Sequence, residues 1–220
     1  MKKIHFLFTL VLFLPLLSQA ESSGAKVDID IHASTLGLGA GFAIPVTDNI
    51  AGRVNLNKYT YTTNFTSDNV NYDASLKLES IGLLADWHLF NGVTHLTGGA
   101  IYNNNEFNMT ATPVGSTYTF NGTAYPSSTV GTATATVTFE KIAPYLGFGW
   151  SGRASKTGFS FKSDIGVLFQ GSPKAKLTAT GAAGSPALAA DLTAAERKMN
   201  TDLAGFNIWP VISIGLGYAF

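Results

Sequence analysis

From Ile208 to the last residue the chain alternates. Ile208, Pro210, Ile212, Ile214, Leu216, Tyr218 and Phe220 fall on one side, and Trp209, Val211, Ser213, Gly215, Gly217 and Ala219 on the other. A strand repeats its side-chain direction every two residues, so this stretch predicts a strand with one oily face and one face of mostly small residues. The same rhythm recurs upstream. Val27, Ile29 and Ile31 alternate with Asp28, Asp30 and His32, and Leu36, Leu38, Ala40, Phe42 and Ile44 alternate with Gly37, Gly39 and Gly41. A turn near Ser34–Leu36 separates two strands here, unless Val27 to Ile44 forms one long strand.

Five further strands follow: about Ile50–Tyr61, Tyr72–His88, Thr94–Thr112, Gly131–Trp150 and Phe159–Phe169. Strand Tyr72–His88 loses strict parity at Ile81, Leu83, Leu84 and Trp87, which predicts a bulge near Ser80–Leu84. Pro144 predicts an irregularity in its strand. Asn91-Gly92 is a hairpin signal. Connections 45–49, 89–93 and 151–157 are short, whereas 62–71, 113–130 and 171–205 are long and alternate with them. The two ends of the array therefore differ, as in barrels with short inner turns and long outer loops. Phe42, Phe90, Phe148, Trp150, Phe159, Tyr218 and Phe220 would form an aromatic girdle at the short-turn rim. Tyr59, Tyr61, Tyr72, Phe107, Phe139 and Phe206 would form one at the other.

One segment breaks the rhythm. Ser185-Pro186 before Ala187–Leu203, with Gly205 after it, reads as a capped helix. Leu188, Leu192, Ala195, Met199 and Leu203 form its apolar stripe, which would lie over the barrel mouth or against a membrane boundary.

Composition sharpens the class. Lys2 and Lys3, the apolar run Ile4–Leu17 and Ser18-Gln19-Ala20 have the layout of a signal peptide spanning 1–20, leaving 21–220 as one barrel domain. The run is too short for a membrane helix and contains Pro15. Charged residues make up 13% of the chain, about half the usual share, and acids and bases number 14 each. No basic footprint for nucleic acid exists. With no cysteine, neither disulfides nor a lipidated cysteine contribute. No cofactor is expected.

The terminal pattern, with Gly215, Tyr218 and Phe220, resembles the signal by which outer-membrane barrels of Gram-negative bacteria are recognised for assembly. The mature chain as a whole resembles the small eight-stranded OmpA/OmpX/OmpW-like barrels. That resemblance implies an all-β, antiparallel, up-and-down transmembrane barrel of eight strands, with the helix in its last external loop. It implies a location in the cell outer membrane, contacts with lipid, lipopolysaccharide and the barrel assembly machinery, and a monomer. Barrels of this kind include structural proteins, porin-like channels for small or hydrophobic solutes, and lipid-modifying enzymes, so the fold leaves function open.

Parity places Asp28, Asp30, His32, Arg53, Lys77, Glu79, Glu140, Lys162 and Asp164 in the lumen. An eight-stranded interior is just wide enough to be filled by side chains, and buried charges must pair. The expectation is a polar ladder of Arg53, Lys77, Glu79, Glu140, Lys162 and Asp164 that plugs the barrel. A structural or surface-interacting role follows, with a gated conduit as the alternative. Asp30, His32 and Ser34 share one strand face and vaguely resemble the His-x-Ser core of lipid A deacylases, but Thr35 stands where that family has Asn. No enzyme is expected. His88 and His95 could meet across their hairpin, though two histidines alone are a weak metal signal.

Overall fold

The computed structural model describes residues 27–67, 70–113, 117–151 and 157–220. The expected signal peptide lies outside the described residues. Thirteen strands and two α-helices form, in the order β1 (Asp28–Ser34), β2 (Gly37–Pro45), β3 (Ile50–Ser67), β4 (Val70–His88), β5 (Thr94–Asn103), β6 (Glu106–Pro113), β7 (Thr117–Phe120), β8 (Thr123–Pro126), α1 (Ser127–Val130), β9 (Ala133–Thr138), β10 (Ile142–Trp150), β11 (Gly158–Leu168), β12 (Lys174–Ala179), α2 (Pro186–Leu203) and β13 (Trp209–Ala219).

Eight of these strands close a ring. β1, β2, β3, β4, β5, β10, β11 and β13 each pair antiparallel with the next, and β13 returns to β1. The ring is an up-and-down meander with both ends of β1–β13 at one rim, where Asp28 pairs with Ala219. Of the two readings of 27–44, the structure has two strands. Ser34 pairs with Gly37 across their turn, and Gly37 carries the positive φ of 115° that closes it. At the Asn91-Gly92 hairpin the left-handed residue is Phe90, with φ 51°, and Gly92 is extended.

The strand count exceeds the expected eight because the wall continues beyond the ring on one side. β3 and β4 run on unbroken past the level of β2. β6, β9 and β12 continue β5, β10 and β11 after breaks at 104–105, 139–141 and 169–173. Together they form an upper sheet in the order β12-β9-β6-β4-β3. Polar segments expected to be loops, within 62–71, 113–130 and 171–205, are thus partly strands. Thr, Tyr and Ser alternate without apolarity, and Thr and Tyr suit a pleated surface.

Side-chain polarity inverts where the upper sheet begins. On β4, Ile81, Leu83 and Trp87 point away from the lumen and are exposed, while Ser80, Leu84, Asp86 and His88 point inward and are buried. Above Ser80 the parity is unchanged, but the chemistry swaps. Val70 and Leu78 are inward and buried, and Asp73, Lys77 and Glu79 share the outward parity. The β3–β4 register is continuous from Ile50↔Trp87 to Ser67↔Val70. No bulge exists near Ser80–Leu84; the lost parity is this inversion. It also corrects the girdle, because Tyr59, Tyr61 and Tyr72 fall on the inward parity. Phe65, inward on β3, stacks on Tyr72 at 5.0 Å.

A second core sits on the inward side of the upper sheet. Val70, Ala111, Tyr118, Tyr125, Val130, Leu188 and Leu192 are buried together. Leu188 and Leu192 of the α2 stripe are therefore spent on this core, against the inward side of the upper sheet and the β7–β8 hairpin. Ser185 caps α2 by accepting from Leu188 N, and Pro186 opens the first turn. The helix ends at Ala204 in right-handed geometry, so Gly205 is not a left-handed cap.

Helix α2 also closes the free edge of β12. Ala175 N donates to Asn200 Oδ1 at 2.8 Å, Asn200 Nδ2 donates to Ala175 O at 2.9 Å, and Leu177 N donates to Glu196 Oε2 at 2.9 Å. An exposed edge would otherwise present unpaired backbone groups. Asn200→Ala should speed amide exchange at Ala175, since about 0.5–1.5 kcal/mol is lost per removed hydrogen bond. Unchanged exchange there would count against this role of the helix.

Asp191 on α2 accepts from Tyr125 Oη at 2.7 Å and from Asn121 Nδ2 at 3.1 Å. These bonds, Tyr125 first, hold the Asp191 carboxyl below its usual range and push the Tyr125 hydroxyl up. A depressed carboxylate stabilises the folded state above its unfolded pKa of about 3.9, and the effect fades as pH falls through the lower folded value. Acidification below about pH 4 should therefore loosen β7–β8 from α2. Hydrogen exchange of 117–126 as a function of pH reads this out, and Asp191→Asn should flatten the acid limb.

Candidate functional site

The lower ring contains the charges. Its inward positions carry Asp28, Asp30 and His32 from β1, Arg53 and Asn57 from β3, Asp86 from β4, His95 and Thr97 from β5, and Lys162 and Asp164 from β11. Two networks form. In the first, Lys162 Nζ donates to Asp28 Oδ1 at 2.7 Å and Asp30 Oδ2 at 3.0 Å. His32 Nδ1 donates to Asp30 Oδ1 at 2.7 Å, His32 Nε2 lies 2.8 Å from Asn57 Oδ1, and Asn57 Nδ2 donates to Ser80 Oγ at 3.2 Å.

In the second, Arg53 bridges two aspartates. Its Nη2 donates to Asp86 Oδ1 at 2.9 Å and Asp164 Oδ1 at 3.1 Å, and Nη1 to Asp164 Oδ2 at 3.3 Å. Nε lies 2.9 Å from Asp86 Oδ2 as a charge contact without hydrogen-bond geometry. Thr97 Oγ1 donates to Asp86 Oδ1 at 2.7 Å. His95 Nε2 donates to Asp164 Oδ1 at 3.0 Å, and Ser151 Oγ lies 3.3 Å from His95 Nδ1.

Glycine supplies the room. A Cβ at Gly217 would lie 2.8 Å from Lys162 Cε, and one at Gly149 would lie 2.7 Å from His95 Nε2. One at Gly41 would collide with the Asp30 carboxylate and one at Gly39 with His32. The glycine alternation seen in the sequence is thus space for charged neighbours. Gly215 serves the same purpose, its absent Cβ falling 2.8 Å from His32 Cβ. Tyr218 and Phe220 are outward, with ring centroids 5.0 Å apart, and Tyr218 also meets Phe159 at 4.9 Å.

Above the charges lies an apolar tier. Leu36, Leu84, Ile101, Ala143, Tyr145, Leu168 and Val211 are buried together, with Trp209 against them. The lumen is not hydrophilic throughout, contrary to expectation. Between the tiers is a cavity of about 30 Å³ bordered by His32, Arg53, Asn55, Leu84 and Tyr145.

The expected ladder separates. Arg53, Lys162 and Asp164 are buried at 7%, 6% and 5% exposure. Lys77 and Glu79 pair with each other at 2.6 Å but on the outward parity, above the inversion, with side chains 39% and 37% exposed. Glu140, in the break before β10, pairs with Lys174 at 2.8 Å in the open. Parity misjudges their sidedness because it equates apolar with outward, which holds only below the inversion. Sequence reasoning misses Asp86 and Thr97, whereas Asn57 shares the Arg53 face by parity. Counting back from outward Trp87 finds Asp86, provided no bulge is assumed.

Ser34 does not complete a relay with His32. Its Oγ donates to Gly37 O at 3.1 Å and accepts from Leu36 N, so it is a turn residue. The order Asp164–His95–Ser151 is relay-like, but His95 is only 1% exposed and Asp164 is held by Arg53, leaving no face for a substrate. His88 and His95 do meet, with ring centroids at 5.3 Å. Among the described residues no group of three or more His, Cys, Asp or Glu is arranged to hold a metal.

The chain shares its fold with two solved structures from Acinetobacter baumannii. CarO2 is 19% identical, with TM-score 0.57, over 89% of this chain and 98% of that one. CarO is 18% identical, with TM-score 0.55, over 88% of this chain and 97% of that one. These are β-barrels, and at this identity the likeness is one of fold. No protein-family model matches the chain, and no curated protein matches it in sequence.

Arg53→Met should cost about 3–5 kcal/mol, because Asp86 and Asp164 would remain buried without their cation. Arg53→Met combined with Asp86→Asn and Asp164→Asn should recover part of that loss. Urea titration in detergent measures both. Equal stability of the single variant and the wild type would mean that Arg53 does not hold the lumen together.

Proposed function

We propose that the chain is an integral outer-membrane β-barrel of the OmpA/OmpX/OmpW-like kind, with a closed lumen and a structural or surface-interacting role. The observation that carries this reading is the sidedness of the ring. Ile31, Leu38, Leu83, Leu146, Ile165, Ile212 and Leu216 are exposed outward around the ring, and Asp28, Asp30, Arg53, Asp86, Lys162 and Asp164 are buried within. Exposed apolar surface on this scale belongs against hydrocarbon. Ring strands β5, β10, β11 and β13 have 10, 9, 11 and 11 residues, and a tilted membrane-crossing strand needs about 9–11. Among the described residues no helix is long and apolar enough to cross a membrane.

In this reading the rim with the termini faces the periplasm and the upper sheet faces outside. Export uses the signal peptide, the last strand addresses the assembly machinery through Gly215, Tyr218 and Phe220, and lipid and lipopolysaccharide surround a monomer. The CarO neighbours, themselves outer-membrane proteins, support the location. The bonds made by Ser34 support a non-enzymatic role. The channel reading would require both lumen tiers to move.

Planar-bilayer recording tests this. The wild-type protein should be silent at moderate voltage, and a variant with Arg53→Ala, Lys162→Ala and Tyr145→Ala should conduct. Stable conductance steps in the wild type would replace the structural role with a channel.

A further inference from the structure

The two edges of the upper sheet differ. β12 is closed by Asn200 and Glu196 of α2. At the other edge, β2 ends its pairing with β3 at Leu38↔Lys58, and beyond that point no described strand lies on the open side of β3. β3 itself runs on to Ser67, there pairing with β4. In an antiparallel pair alternate residues turn their backbone N–H and C=O groups away from the partner, so this edge presents a row of donors and acceptors. None of the usual edge protections interrupts it. Tyr59–Thr66 contains no charge, proline or glycine, and the β3–β4 register is unbroken across it. Seven of its eight residues are Tyr, Thr or Phe, which favour strands.

The segment is also complementary to itself. Aligned antiparallel about Thr63, Tyr61 stands opposite Phe65 of a second copy, Thr62 opposite its Asn64, and Thr60 opposite its Thr66. Directly opposite residues share a face, so the aromatic rings meet on the inward face and the hydroxyls and amide on the outward one. Within one copy Phe65 already stacks on Tyr72 at 5.0 Å, and Tyr61 pairs with Leu76. One inward row across four strands then reads Tyr72, Phe65, Tyr61 and Leu76, the last two from the second copy. On the outward face the neighbours on β4 are Lys77 beside Thr60 and Asp73 beside Asn64, and no like charges come opposite one another. In the sequence Lys58 precedes the segment and Asp68 follows it, so antiparallel alignment brings unlike charges to each end. Slipping the register by two residues in either direction sets an aromatic ring against Thr63 instead.

We propose that the edge of β3 from Tyr59 to Thr66 pairs antiparallel with the same edge of a second copy of this chain, about a two-fold axis at Thr63. The inference rests on the outer-membrane reading and gives its surface-interacting role a partner. Antiparallel pairing points the two barrels in opposite directions along their strands. Copies in one membrane all point the same way and stay monomers there. The contact therefore forms between barrels whose outer ends face each other from opposed membranes, a homophilic adhesion. The paired segment lies beyond the apolar band in both copies, outside hydrocarbon.

The chain has no cysteine, so single introduced cysteines report the register. Thr63→Cys brings two thiols to one antiparallel pair site, where Cα atoms lie about 4.5–5.5 Å apart, within disulfide range. Thr60→Cys sets its two thiols about 20 Å apart, six residues along the strands. Mature protein in detergent, treated with a mild oxidant and run on a non-reducing gel, should give a covalent dimer for Thr63→Cys and a monomer for Thr60→Cys. Vesicles carrying the wild-type protein should cluster. The variant Thr62→Lys, Asn64→Lys sets lysines opposite one another across the pair, and should weaken dimerisation in detergent, measured by analytical ultracentrifugation, by at least about tenfold. Its heat-dependent gel mobility should match the wild type, because both lysines lie outward beside Ser75 and Asp73. Equal cross-linking at the two cysteine positions, or a dimer undisturbed by the lysines, would overturn the proposal. So would a wild-type protein that is monomeric at every concentration, leaving the edge to a foreign strand. A mature protein that is folded and soluble without detergent would instead remove the outer-membrane reading, and the cysteine pair would still decide the edge contact.

Discussion

An inward side chain in an eight-stranded ring can reach neither bulk water nor a second protein layer. Whatever charge it carries must be answered by another inward side chain. That constraint explains the arrangement around Arg53 and Lys162, each shared between two aspartates, and the placement of His32 and His95 against Asp30 and Asp164. It explains the glycines as well. The charged and imidazole-bearing groups could not fit if Gly39, Gly41, Gly149 and Gly217 carried side chains. Charge pairing and glycine content are one requirement seen from two sides, because the volume removed at the glycines is occupied by the ion pairs.

The same constraint determines what is legible in the sequence. Where one face is apolar and the other charged, alternation specifies both strand and sidedness, so the ring strands, their turns and the inward placement of Arg53, Lys162 and Asp164 can be read directly. Alternation alone does not say which face is which. That needs a solvent on each side, and the solvent changes at the line through Lys58, Glu79, Asn104 and Glu140. Extending the rule for the lower wall above that line places Lys77 and Glu79 inward, on the wrong side. β6, β9 and β12 merge into longer strands or loops because Thr134, Thr136, Thr138 and Thr178 give no hydropathy signal. The apolar lumen tier is invisible for a related reason: Leu84 looks like an outward residue out of step, and Val211 is a lone aliphatic on a face of mostly small residues.

Helix α2 shows the division between local and tertiary information. Ser185 and Pro186 specify its start from adjacent residues, and spacing specifies its stripe. Its destination depends on Tyr118, Tyr125 and Val130, far away in sequence, and on a strand edge that appears only once β12 is recognised. Asn200 and Glu196 lie off the stripe and would pass for ordinary solvent-facing residues. They instead act as a substitute neighbour for β12, offering an amide and a carboxylate where another strand would offer backbone. The opposite edge of that sheet, β3 beyond Lys58, has no such cover among the described residues, and its residues from Tyr59 to Ser67 are exposed.

Closure of the lumen by two unlike tiers has a consequence for any passage through it. The apolar tier of Leu84, Ile101, Tyr145 and Leu168 limits water above the ion pairs, and charge pairs strengthen as surrounding water is removed. The ion pairs in turn tie β3, β4 and β11 together, and β4 and β11 carry Leu84 and Leu168 of the apolar tier. Exchanging ion-pair partners would open the lower tier but not displace Tyr145 or Leu168. Rotating those side chains would admit water but leave Arg53 across the bore. Each tier therefore holds the other shut. A solute path demands a coordinated change in both, which is the physical basis of the closed barrel proposed above.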